Sequence, residues 1–237
     1  QYVLEKMLEV YSEIFSVTFE QVPGFPTIHP DTQTFAMRDK GGDILAYFTL
    51  DLYPREAKYG HAAEFPILSS HRVSFTGNSA YTAPLCSMVT NFPKTSAENP
   101  SLMPHSQVEV LFHEFGHVIH HSLAQTPLYS QSGITVSQDF GEAPSQILEY
   151  WVWEPQVLKR ISKHYQTGEP LSDEIIERLI ATKSFGQGWF NMRQCLLGLF
   201  DHRLYTEADV HPVTLYADMT RDLLDIDVPA DQIQAAG

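Results

Sequence analysis

Residues 108–121 read VEVLFHEFGHVIHH, four histidines and two glutamates set into an apolar helical repeat. Val108, Val110, Leu111, Phe112, Phe115, Val118 and Ile119 make the stretch apolar over most of its circumference, as in a helix sunk in a core. Imidazoles and carboxylates carried into such a place need partners, and a metal ion is an economical one. His113, Glu114 and His117 form His-Glu-x-x-His. Residues four apart lie a little over one turn apart, so both imidazoles project from one face and can grip the same ion. Glu114 is rotated about 100° from His113, which suits it to a water beside the metal rather than to the metal, the position of a general base. Chance supplies this pattern in roughly one chain in a hundred of this length, so the apolar setting carries the argument.

Catalytic zinc usually takes three protein ligands and keeps the fourth position for water. A metzincin would have Gly at 120 and His at 123, where this sequence has His120 and Leu123. A glutamate at the head of a second helix is the other arrangement, and DFGEAPSQILEYWVW supplies it with Glu142. Asp139 and Glu149 are the competing carboxylates and candidates for a supporting role. Gln146, four positions past Glu142 on the same helical face, is placed to hydrogen-bond a ligand histidine, or else is simply solvated. His120 and His121 are expected as hydrogen-bonded core or cleft histidines, and Trp151, Trp153 and Trp189 as packing residues.

The rest of the chain divides in character near residue 105. Ahead of it, Leu4, Met7, Leu8, Tyr11, Ile14 and Phe15 predict one helix. Strand-like runs follow in SVTFEQV, in TQTFAMRDKGGDILAYFTLDLY and in TAPLCSMVTNF, with residues 92–105 as a connector. Beyond it, helices are predicted near 106–122, 141–164, 172–184, 187–207 and 212–225, with Gly186 and Gly188 parting the third from the fourth. With 237 residues, 43% of them apolar, the chain can build one domain with a sizeable core. Its 15 Lys and Arg against 29 Asp and Glu, a formal charge of -14, make nucleic acid and anionic membrane poor partners. Cys86 and Cys195 are expected as two buried, reduced thiols, which points to the cytoplasm.

The segments HEFGHVIHH and DFGEAPSQILEYWVWE, with 24 residues between His117 and Glu142, resemble the zinc oligopeptidases of the M3 family. DLYPREAKYGHAAEF and HSQVEVLFHE resemble the same family upstream, so the likeness covers most of the chain. The resemblance implies Zn²⁺ held by His113, His117 and Glu142, with Glu114 activating water. It also implies short peptide substrates, laid as an extended strand along a sheet edge for which TAPLCSMVTNF is the expected segment. The fold expected is α+β and predominantly helical: a single zincin-like domain with a small N-terminal sheet over 1–105 and a metal-binding helical region over 106–237. Tyr59 and His61 resemble family residues near the cleft, although nothing in their local chemistry demands a site. Family members also carry a later Gly- and Tyr-rich segment that stabilises the oxyanion, and this sequence has no such segment before its last residue. The expectations are a weak peptidase or a zinc- and peptide-binding remnant, self-association or a complementing chain, and only a remote prospect that Tyr205, Tyr216, His202 or His211 substitutes.

Overall fold

Hydrophobic period decides most of the elements, and prolines and glycines decide where they stop. The computed structural model describes residues 1–75, 78–96 and 100–229. The chain forms two compact units, Gln1–Ile176 and Glu177–Gly237, and the change from strands to helices near residue 105 falls inside the first.

In the first unit, α1 (Tyr2–Phe15) buries Leu4, Met7, Val10 and Tyr11 and ends at Ser16 in the left-handed conformation. A five-stranded sheet follows in the order β1-β2-β3-β7-β4, built from β1 (Thr18–Gln21), β2 (Gln33–Arg38), β3 (Ile44–Asp51), β4 (Ala63–Leu68) and β7 (Leu85–Val89). Neighbours are antiparallel except β3 and β7, which run parallel after the intervening chain crosses over. Strands β5 (His71–Phe75) and β6 (Asn78–Thr82) pair as a separate hairpin. The fold class is α+β, as expected, but β4, β5 and β6 were not anticipated. The expected edge strand is corrected: TAPLCSMVTNF contains β7, which lies between β3 and β4, and the edges of the sheet are β1 and β4. The apolar run of β7 suits an interior place, whereas β4 carries Pro66, a residue that sheets confine to their margins.

Helix α2 (His105–Leu123) lies against this sheet. Phe115 meets Phe48 of β3 edge-on at 5.4 Å and Tyr11 of α1 at 4.8 Å, while the Tyr11 hydroxyl donates to the Phe112 carbonyl at 2.7 Å. Such pairs add roughly 0.5–1.5 kcal/mol each beyond the area they bury. The helix expected over 141–164 is instead α3 (Ala143–Glu149), a 3₁₀ turn (Tyr150–Trp153) and α4 (Pro155–Ile161). Pro155 forces Glu154 out of the helical region and so cuts the run. The next helix is α5 (Asp173–Thr182).

In the second unit, α6 (Gln187–Thr206) and α7 (Pro212–Leu224) enclose a core of Leu196, Phe200, Leu215, Tyr216 and Met219. Gly186 caps α6 with a left-handed backbone, but Gly188 lies within its first turn. Cys86 is buried; Cys195 is exposed on α6, contrary to expectation. No helix among the described residues is long and apolar enough to cross a membrane.

The end of β3 is fixed by a buried ion cluster that also holds the loop leading to β4. Lys58 Nζ donates to Asp51 Oδ1 at 2.9 Å and to the carbonyls of Asp51, Tyr53 and Thr90, and Arg55 clamps the same carboxylate with two bonds. Burial alone would raise the Asp51 pKa, but Arg55 and Lys58 prevail and hold it below the usual range. Stability from this carboxylate is therefore present above its unfolded pKa and lost as pH falls through the depressed folded value. Lys58→Met removes the buried donor to three carbonyls and one carboxylate oxygen, while Arg55 still pairs Asp51, so denaturant unfolding is expected to show a loss of about 1–3 kcal/mol. A loss under about 1 kcal/mol would refute this reading of the cluster.

Candidate metal centre

The face of α2 opposite Phe115 carries His113 and His117, each about 200° around the helix from that ring. Their rings lie 5.0 Å apart. Glu142, at the N-cap of α3, directs Oε2 to within 3.2 Å of His113 Nε2 and 3.1 Å of His117 Nε2. Ser145, in the first turn of α3, donates to the same oxygen at 2.7 Å and steadies it. One nitrogen or oxygen from each of the three lies within 4.8 Å of the others.

This convergence depends on how closely α3 approaches α2. A β-carbon on Gly116 would stand 2.8 Å from the Ser145 α-carbon, so glycine between the histidines lets the two backbones touch. At the far end of α3, Glu149 Oε1 accepts from His113 Nδ1 at 2.5 Å. Wherever the proton on Nδ1 is the ring's only one, Nε2 presents a lone pair to a carboxylate oxygen 3.2 Å away, and a metal ion between the two relieves their repulsion. Two imidazole nitrogens and one carboxylate are the donor types zinc prefers, so these residues fit a zinc ion.

Glu114 lies 7% exposed beside these three residues, and its Oε2 has no protein hydrogen-bond partner. Burial raises its pKa, with His113 opposing and Glu142 adding to the rise. Burial also lowers the pKa of His117, against the pull of Glu142, which favours the neutral form. These groups line a cleft of about 540 Å³ together with Ala62, Ala63 and Glu64 of the β4 margin.

Glu149 thus stands behind His113, whereas Asp139 and Gln146 are exposed and, among the described contacts, neither reaches a site histidine. His120 is half-buried with its ring 6.4 Å from Phe140, and His121 is fully buried beneath the cleft. Trp153 packs on His105 and donates to Glu109 at 2.9 Å, whereas Trp189 is largely exposed. Tyr59 is surface-exposed and packs on His61 and Phe65. Tyr216 belongs to the core of the second unit, and Tyr205 is exposed on α6. Sequence reasoning passed over Glu64; its only signal is a charged residue following two alanines in GHAAEF, which alternation alone does not mark as buried.

Residues 1–236 match the model of peptidase family M3. The chain belongs to peptidase family M3. It is 37% identical to oligopeptidase A of Escherichia coli over 85% of its own length and 29% of that protein's. It is 35% identical to the thimet-like oligopeptidase of Dictyostelium discoideum, over 86% of its length and 30% of the relative's. Saccharolysin of Saccharomyces cerevisiae is likewise 35% identical, over 88% and 30%. This M3 chain therefore spans about 30% of the length of the curated relatives it matches.

The hydrogen bond from His113 to Glu149 fixes the ring and its tautomer. Glu149→Ala is expected to weaken zinc affinity about 10- to 100-fold with the fold intact, measured by competition against a chromophoric chelator, and Glu149→Gln less so. Unchanged affinity in Glu149→Ala would dismiss that role.

Proposed function

We propose that this chain carries the zincin-type catalytic core of a zinc-dependent peptidase acting on short, extended peptides. The observation that carries the reading is the meeting of Glu142 Oε2 with both Nε2 atoms of the His-Glu-x-x-His helix, with buried Glu114, whose Oε2 is unpartnered, beside them. Membership in a peptidase family supports it. His113, His117 and Glu142 would hold the ion. Zinc, when bound, supplies Lewis acidity that polarises a scissile carbonyl and makes a water more acidic.

The chain's own residues supply the remainder. Glu114 accepts the proton of the attacking water at its unpartnered oxygen and passes it to the leaving amine nitrogen. Its raised pKa brings it toward the working range of a general base that must also return the proton. Glu149 holds the His113 ring, and Ser145 holds the Glu142 carboxylate. The outer margin of β4 offers backbone groups to an extended peptide, a mode that reads length and shape more than side chains.

His113→Ala and Glu142→Ala are expected to abolish stoichiometric zinc in metal analysis. Glu114→Gln is expected to keep zinc and lower kcat/KM on an internally quenched peptide by roughly two to four orders of magnitude. Zinc loss in Glu114→Gln would make the residue a ligand; undiminished hydrolysis would remove it from the chemistry.

A further inference from the structure

Beneath the cleft lies a polar pair that the hydrolytic chemistry leaves unused. Glu64 of β4 is 9% exposed, and neither of its carboxyl oxygens has a hydrogen-bond partner within ordinary geometry. His121 of α2 is fully buried, and its Nε2 lies 3.1 Å from the Leu68 carbonyl at the other end of β4. A carbonyl only accepts, so Nε2 carries the proton and Nδ1 of the neutral ring is an acceptor. Nδ1 is itself unpartnered, 3.9 Å from Glu64 Oε1. Gly133 closes its other side, because a β-carbon there would collide with that nitrogen.

A charged Glu64 would set two buried acceptors against each other within reach of a second carboxylate, Glu114. A proton on Glu64 removes that repulsion and makes its oxygen a donor, which bonds Nδ1 once the 3.9 Å gap closes by about 1 Å. Glu64 and Leu68 both belong to β4, so one imidazole then ties the strand to the helix at two points. We propose that Glu64 and His121 form a proton-sharing clamp that sets the edge strand β4 against the ligand helix α2, making Glu64 a positioning residue for the extended substrate. The substrate part of this statement rests on the peptidase reading above; the clamp does not.

The charged and titratable surroundings favour the protonated form. Burial raises the Glu64 pKa to about 7; the Cys86 thiol of β7 opposes it, and Glu114 of α2 adds a lesser rise. Burial lowers the His121 pKa, with the Leu68 carbonyl opposing, and that of its neighbour His120 falls for the same first reason. The sign follows. Between the ordinary 4.5 and about 7, the folded chain keeps a proton that the unfolded chain releases, so stability falls as pH rises through that window. Glutamine keeps a donor for Nδ1 and cannot ionise.

The test compares wild type, Glu64→Gln and Glu64→Ala at equal zinc content between pH 4.5 and 8. The melting-temperature difference between Glu64→Gln and wild type is expected to widen with pH by at least about 4 °C. Amide exchange in β4 is expected to quicken relative to the other strands above pH 7 in wild type but not in Glu64→Gln. The KM of wild type relative to Glu64→Gln is expected to rise roughly three-fold or more from pH 6 to 8, with little change in kcat. Simple packing predicts a pH-independent difference, and that result, or unchanged exchange in β4, would overturn the clamp. Should Glu64→Ala fail to fold, the glutamine comparison decides alone. Melting and exchange that follow the proposal in a protein without peptide hydrolysis would sustain the clamp and overturn the peptidase reading.

Discussion

The close approach of α2 and α3 at Gly116 is the contact on which the site depends. With a β-carbon 2.8 Å from the Ser145 backbone ruled out, the two helices touch through main chain. That contact carries Glu142 to both histidines and Glu149 to the back of His113. The two glutamates stand seven positions apart, close to two full turns, so one short helix face supplies the carboxylate that meets both imidazoles and the one that bonds the back of His113. A wider spacing would draw the Glu142 carboxylate away from both imidazoles and Glu149 away from His113.

Helix α2 joins two chemistries that exclude each other. Its Phe112 and Phe115 face belongs to an aromatic cluster shared with Tyr11, Phe19 and Phe48. Its opposite face carries the imidazoles. The cluster backs the two histidines, and burial raises the pKa of Glu114 and lowers that of His117. Packing and protonation are thus set by the same burial. The sheet adds a further constraint, because its edge β4 borders the cleft through Ala63 and Glu64 while the Asp51 ion cluster anchors the loop that delivers it.

Local signals were enough for part of this. The positions of His113, Glu114 and His117 on one helix follow from spacing alone, since 3.6 residues per turn is a property of the backbone and not of the partners. The apolar periods likewise mark α1, α2, β2 and β3, and the resemblance to the M3 family is written in contiguous motifs. The single helix expected over 141–164 failed because periodicity does not register the steric effect of Pro155 on Glu154.

What the sequence by itself determined is the set of donor types, their i, i+4 spacing and the family. Tertiary structure decided the remainder. It chose Glu149 over Gln146 and Asp139 as the partner of His113, made β4 rather than β7 an edge, and buried Glu64 against His121. The physical reason is the same in each case: strand order, helix approach and solvent exclusion arise from contacts between residues distant in the chain, and no local period encodes which of several carboxylates those contacts bring inside.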